Sequence, residues 1–415
     1  MLVFISDIHL TDGTSGETIN SGAFEKFILY LKDMADTAGA KEIEVVLLGD
    51  IFDVIRSDYW LNSTIRPWSN ALEKDGQGKG LEDYTVEIVK SICANTNNKA
   101  SVQHLKDFKN KMAGVTVNFT YIVGNHDWLI NRYPDARVQI ANFLGMNNPN
   151  QYKNTPFLTQ EFWKDYKVFA RHGDIYDPFN FEGNRDASSL GDAIVIDLIN
   201  RFPKAVKDDI GAATDPDLIS RLKEIDNVRP LIDVPLWIHG ACRRAKTVEI
   251  GEKVKDVWNN LVDEFLKIPF VAEHNTWSPA DVVDNLRRGL KISKSFPFKV
   301  MAKITSWLGS LQPTRDDYRD KAFREVYMKE NQAEFALYGH THGYEIQPLD
   351  EVPQKTYFNT GTWRKVHVKA AYDVENQEFL NWHVMTFIAF YLENERLDKV
   401  TGAKRRFEVW NGALG

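Results

Sequence analysis

"YIVGNHDWLI" runs from Tyr121 to Ile130, and its reading decides the fold. Three apolar residues lead into Gly124-Asn125-His126-Asp127, and an apolar run resumes at Trp128. A glycine at the mouth of a buried strand lets the backbone turn sharply. Asn, His and Asp carry groups that bind metal ions or move protons. One such tetrapeptide specifies little, so its meaning depends on whether other strands end the same way.

They do. "LVFIS" (2–6) is a short run of strand formers that ends in Asp7-Ile8-His9. "IEVVLLG" (43–49) ends in Gly49-Asp50-Ile51-Phe52-Asp53, and "YKVFARHGD" (166–174) ends in His172-Gly173-Asp174. "AEFALYGHTH" (333–342) ends in Gly339-His340-Thr341-His342. Five apolar strands each deliver Asp, Asn or His at the carboxyl end. Ligands of open α/β sheets bind beyond those ends, so residues far apart in the chain converge on one site.

Between these strands the pattern turns helical. Residues 20–36 predict a helix with Ser21 as its cap and Phe24, Phe27, Ile28 and Leu31 on one face. Residues 60–80 lack periodicity, and 81–112 read as two helices. Strand–helix–strand–helices–strand is the order of an α/β core with crossover connections. From about 180 to 332 the chain reads mainly as helices, at 190–201, 215–227, 252–266 and 316–331. Strand patterns return at 355–361 and 366–374 and again at the C-terminus. The expected organisation is a catalytic domain of residues 1–179 and 333–415, split by a helical insertion of residues 180–332 that serves as a cap, an interface or a docking module.

The length of 415 residues suits that arrangement, being more than a single core usually organises. A net charge of −7 argues against a surface that grips nucleic acid throughout. The only cysteines, Cys93 and Cys242, stand far apart without metal-site spacing, which excludes a disulfide framework and favours a reducing compartment. The N-terminal "MLVFISDIHL" has no basic leader and turns polar early, and no stretch reaches the ~20 apolar residues of a membrane span. A cytoplasmic location is expected.

The series Asp-x-His, Gly-Asp-x-x-Asp, Gly-Asn-His-Asp, His, Gly-His-x-His resembles the calcineurin-like metallophosphoesterase superfamily over residues 1–175 and 333–370. The resemblance implies a metallophosphoesterase-type β-sandwich flanked by helices and two divalent metal ions about 3.5 Å apart. It implies that Asp7, His9 and His342 bind the first ion and that Asn125, His172 and His340 bind the second. Asp50 would bridge both, since a carboxylate has two oxygens. A mixed imidazole, carboxylate and amide set suits Mn, Fe or Zn. The two ions would clamp the phosphoryl oxygens and generate a bridging hydroxide that attacks phosphorus. His126, left without a metal, would protonate the leaving group, with Asp53 orienting it. Asp127 and Asp174 are expected to support neighbouring groups. Arg132, Arg171 and Arg364, the last within "NTGTWRK" (359–365), are candidate holders of a substrate phosphate.

"LYGHTH" and "FNTGTW" are similar to the bacterial branch that includes UDP-2,3-diacylglucosamine hydrolases. That branch usually has Arg where this chain has His126, a departure that favours acid assistance of the leaving group. The expected substrate is a phosphorylated small molecule, a lipid phosphate or a nucleotide, attacked as a diester or a monoester. From Asn285 to Arg315 there is no acidic residue, while Arg287, Arg288, Lys291, Lys294, Lys299, Lys303 and Arg315 accumulate. This basic segment opens a second reading, a nuclease of the same superfamily, and a third contact, with a membrane surface. A metal-binding scaffold without chemistry is the remaining alternative.

Overall fold

The computed structural model describes residues 1–211, 214–229, 233–274, 314–350, 355–370, 379–395 and 406–414. Its centre is a pair of β-sheets packed face to face. One sheet contains β1 (Leu2–Ile5), β2 (Glu42–Leu48) and β3 (Thr116–Ile122), with β6 (Val228–Arg229), β10 (Lys365–Lys369), β11 (Phe379–Phe390) and β12 (Phe407–Leu414). Its order is β3-β2-β1-β11-β10-β6, with β12 paired to β11. The other sheet contains β4 (Gln160–Trp163), β5 (Val168–Arg171), β7 (Phe335–Tyr338), β8 (Tyr344–Pro348) and β9 (Thr356–Thr360), in the order β4-β5-β7-β9-β8.

The alternation of a strand explains how both faces are filled. Leu2 and Phe4 of β1, with Val46 and Leu48 of β2, face Val168, Ala170, Leu337 and Phe358 of the second sheet. Val3, Ile5, Val45 and Leu47 point the other way, into a core shared with the helices. Continuous apolar runs, rather than alternating ones, follow from this double burial. β1, β2 and β3 are mutually parallel, as are β5, β7 and β9. In each trio the residues that follow the strands therefore emerge at one end of the sheet.

Helix α1 (Ser21–Ala38) buries Phe24, Phe27, Leu31, Met34, Ala35 and Ala38, a single 3.6-residue stripe. Its cap is Asn20, not Ser21: the Asn20 side chain accepts the N–H of Gly22. The stretch 81–112 does form two helices, Leu81–Ala94 and Thr96–Lys111, and Asn95 between them caps the second.

The chain between 180 and 332 contains helices at Leu190–Ile194, Arg201–Ile210, Pro216–Lys223, Val234–Arg243, Val248–Phe265, Arg315–Phe323 and Val326–Lys329, among others. Those up to Phe265 share a second core built on Phe202, Leu222, Trp237, Trp258 and Phe265, which Phe379 of β11 joins. Three features differ from the sequence expectation. Helix Val234–Arg243 replaces an unassigned stretch, and a π-turn (Val195–Asn200) extends the 190–201 helix toward 210. The expected helix at 215–227 gives way to a 3₁₀ turn and then to β6, which pairs parallel with β10 through His367↔Val228 and Val368↔Arg229. The basic segment 285–315 lies outside the described residues except for Thr314 and Arg315. No helix among the described residues is long and apolar enough to cross a membrane.

Candidate metal centre

All seven expected ligands meet at one place. Asp7, His9 and His342 offer ligand atoms within 4.8 Å of one another, and so do Asp50, His172 and His340. A third group, His9, Asp50 and His126, joins the other two, so that Asp50 stands between them. The contacts are close: His9 Nε2 is 3.1 Å from His342 Nε2, and His342 Nε2 is 3.3 Å from Asp7 Oδ1. On the other side, His172 Nε2 is 3.3 Å from Asp50 Oδ2, and His340 Nδ1 is 3.0 Å from Asn125 Oδ1.

The loops reach this geometry at a conformational cost. Eight non-glycine residues among those described have positive φ, and five of them are Asp7, His9, Asp50, His340 and His342. Left-handed backbone is uncommon for such residues and concentrates where function overrides local preference. The loops after β1 and β2 brace each other: Asp7 N–H donates to Gly49 O, His9 N–H to Asp50 O, and Asp53 N–H to Leu10 O. Glycines give the ligands room. A Cβ on Gly124 would overlap Asp50 Oδ1 and the His172 ring, and one on Gly49 would overlap that ring from its other side.

Four of the ligands are tied on their outer sides, which fixes what they present inward. His172 Nδ1 donates to the Leu48 carbonyl at 2.9 Å, since a carbonyl only accepts. In the neutral ring its Nε2 therefore carries the lone pair, and that atom is buried with no hydrogen-bond partner. His9 Nδ1 donates to Asp53 Oδ2 (3.0 Å) and His340 Nε2 to Asp177 Oδ2 (3.0 Å). The Asn125 amide donates to Asn180 Oδ1 (3.2 Å), turning its own oxygen inward. Lone pairs of imidazoles, carboxylates and an amide thus converge in a buried place, and cations are what such an arrangement accommodates. The donor set, with no thiolate, suits a pair of first-row divalent ions rather than a structural zinc site.

Without cations, the carboxylates and imidazoles of the cluster shift one another. Burial alone would raise Asp50, but the neighbouring imidazoles of His172 and His126 outweigh it and hold the carboxyl well below its usual range. Burial raises Asp7. For His172 burial acts to lower the pKa, yet Asp50 and Asp7 carry it up to about 10. His126 is likewise raised to about 9 against its burial, by Asp53, Asp50 and Asp192. His342 is pushed far down by burial and by the Arg229 guanidinium.

His126 stands at the edge of the cluster with its side chain 19% exposed, its Nδ1 2.9 Å from Asp53 Oδ1. Asp53 thereby holds both His9 and His126. Asp127 accepts from Gly124 N–H, Ile51 N–H and Tyr121 O–H, stitching the Gly49-Asp50 and Gly124-Asn125 loops together. Asp174 pairs with Arg185.

The candidate arginines divide. Arg364 pairs with Asp226, 2.8 Å from its Oδ2, and its charge acts on His342. Arg171 pairs with Glu325 and lies over Phe169, and Arg132 donates to the Asp186 carbonyl. Neither of these two makes a hydrogen bond or ion pair to an expected ligand. The sequence reading missed Asp177, Asn180, Asp192 and Arg229. Asp177 and Asn180 belong to the same polar turn that follows His172-Gly173-Asp174, which was their available signal.

Residues 1–240 match the family described as calcineurin-like phosphoesterase. The match covers more than half of the chain, and the chain belongs to that family. Metal-dependent phosphoester hydrolysis is the class of chemistry this membership carries. The match ends before His340 and His342, which the fold nevertheless brings to the cluster. A search of curated proteins finds no match to the chain.

Proposed function

As a member of the calcineurin-like phosphoesterase family the chain, we propose, hydrolyses a phosphoester at a binuclear centre. Asp7, His9 and His342 hold one divalent ion, Asn125, His172 and His340 hold the other, and Asp50 serves both. The observation that carries this reading is the inward convergence of ligand atoms, with His9, His172, His340 and Asn125 each donating on the opposite side to an outward acceptor. Manganese, iron or zinc fits the donor set.

Two such ions, when bound, supply charge neutralisation for the phosphoryl oxygens and lower the pKa of a water to the neutral range. The remaining work falls to the chain. His126 keeps one proton on Nδ1 toward Asp53, and the Asp53 carboxylate favours a second on Nε2. It is placed to donate that proton to the departing oxygen, where negative charge develops. Asp53 fixes the orientation of both His126 and His9. Residues 180–332 act in this reading as a cap, since Asn180 and Asp192 touch the site's own residues or shift their charge.

The experiment is hydrolysis of an aryl phosphodiester and an aryl phosphomonoester with Mn²⁺, using Asp50→Ala and His126→Ala proteins. Turnover should vanish in Asp50→Ala. In His126→Ala it should fall by roughly 10²–10⁴-fold, and more for poor leaving groups than for good ones. A His126→Ala loss that ignores leaving-group pKa would refute the acid role. Turnover that persists in Asp50→Ala would refute the centre itself.

A further inference from the structure

We propose that Arg229 and Arg364 hold a second phosphoryl group of the substrate, one unit removed from the group attacked, so that the substrate class is a diphosphate ester or phosphoanhydride. This rests on the binuclear reading above. Arg229 Nη2 lies 2.5 Å from His342 Nδ1, while His342 Nε2 faces Asp7 and His9. The guanidinium is therefore separated from the centre by the width of an imidazole. That is too remote for the phosphoryl group under attack and suited to the next one along the chain of phosphates.

The charges around it are unbalanced. Arg56, Arg229 and Arg364 gather around one carboxylate, Asp226, and each of its oxygens is already engaged. Oδ1 takes Arg56 at 3.3 Å and Oδ2 takes Arg364 at 2.8 Å. Arg229 instead donates to the carbonyls of Asp226 (2.6 Å) and Val228 (2.9 Å). Among the described residues it has no carboxylate within ion-pair distance. A partly buried guanidinium without a counter-charge is costly, and a phosphate is the anion whose oxygens match its planar fork. Arg171 and Arg185, by contrast, are each paired with a carboxylate, Glu325 and Asp174. Arg229 is also held in place by backbone, because β6 is paired to β10 immediately after Arg364.

The test is calorimetric titration of manganese-loaded protein with methylenediphosphonate and, separately, with inorganic phosphate. One added charge-assisted contact predicts that the diphosphonate binds roughly tenfold or more tightly than phosphate. Arg229→Gln should abolish that preference while elemental analysis still finds two metal ions per chain, and Arg364→Lys should weaken it. Equal binding of the two probes by the unaltered protein would overturn the proposal and leave the binuclear reading standing. So would a preference that survives Arg229→Gln, or loss of metal in that variant, which would make Arg229 a positioning residue for His342. Protein that takes up no metal and binds neither probe would overturn both readings.

Discussion

Asp53→Asn probes the link between a buried carboxylate and the affinity of the centre. Asp53 is fully buried, with Oδ2 3.0 Å from His9 Nδ1 and Oδ1 2.9 Å from His126 Nδ1. Oδ1 also accepts the Arg56 N–H at 3.1 Å. Asparagine has a similar shape but only one acceptor oxygen. With that oxygen kept toward His126 and Arg56, its NH₂ faces the N–H of His9, donor against donor. Relief comes when His9 moves its proton to Nε2, the atom needed for the metal. The lost contact is a charge-assisted hydrogen bond worth about 1.5–3 kcal/mol. At 1.4 kcal/mol per tenfold, the His9 side of the centre should lose roughly 10- to 150-fold in metal affinity. The Asn125, His172 and His340 side, which Asp53 does not touch, should keep its ion. Competition for Mn²⁺ against a chromophoric chelator resolves the two sites. Unchanged affinity at both sites would refute the reasoning, as would equal loss at both.

Gly124→Ala should remove metal binding without unfolding the helical core, because a Cβ there overlaps Asp50 Oδ1 and the His172 ring; elemental analysis beside a circular-dichroism melt checks it. Asp226→Asn should lower stability. Burial would raise Asp226, but Arg364 and Arg56 hold it at about 2, below the ordinary 3.8. A depressed pKa means stability that is fully present above pH 3.8 and lost as pH falls through 2. The shift corresponds to about 2 kcal/mol near neutral pH. Urea unfolding at pH 7 should show that deficit, and a deficit that grows on acidification would contradict it. Cys93 and Cys242, pushed up to about 12 and 11 chiefly by burial, should resist alkylation at pH 8 in the folded protein and react on unfolding, read by mass spectrometry.

The parts of this protein that were legible in the sequence are those written locally. An apolar run followed at once by Asp, His or Asn marks a strand end and its cargo together, which is why Asp7, Asp50, Asn125, His172 and His340 could be named before their convergence was seen. β4 and β8 left no such mark. They are edge strands, half exposed, without the double burial that writes a continuous apolar run. β6 is two residues long and exists because β10 offers it an edge, a fact of tertiary structure. Arg229 was invisible for the same reason: its place beside His342 depends on a pairing between positions more than a hundred residues apart. The positive φ of Asp7, His9, Asp50, His340 and His342 is likewise imposed by the site, against the preference of those residues. Ser21 was the expected cap of α1, but the register of the first turn gives that place to Asn20.

The central claim is that this cluster holds two divalent ions through a shared Asp50. The most direct measurement is metal content by elemental analysis after loading with Mn²⁺ and gel filtration, for the unaltered protein and for Asp50→Asn. The account predicts two ions per chain, falling toward none when the shared carboxylate is lost. A single ion per chain, or two that survive Asp50→Asn, would contradict it.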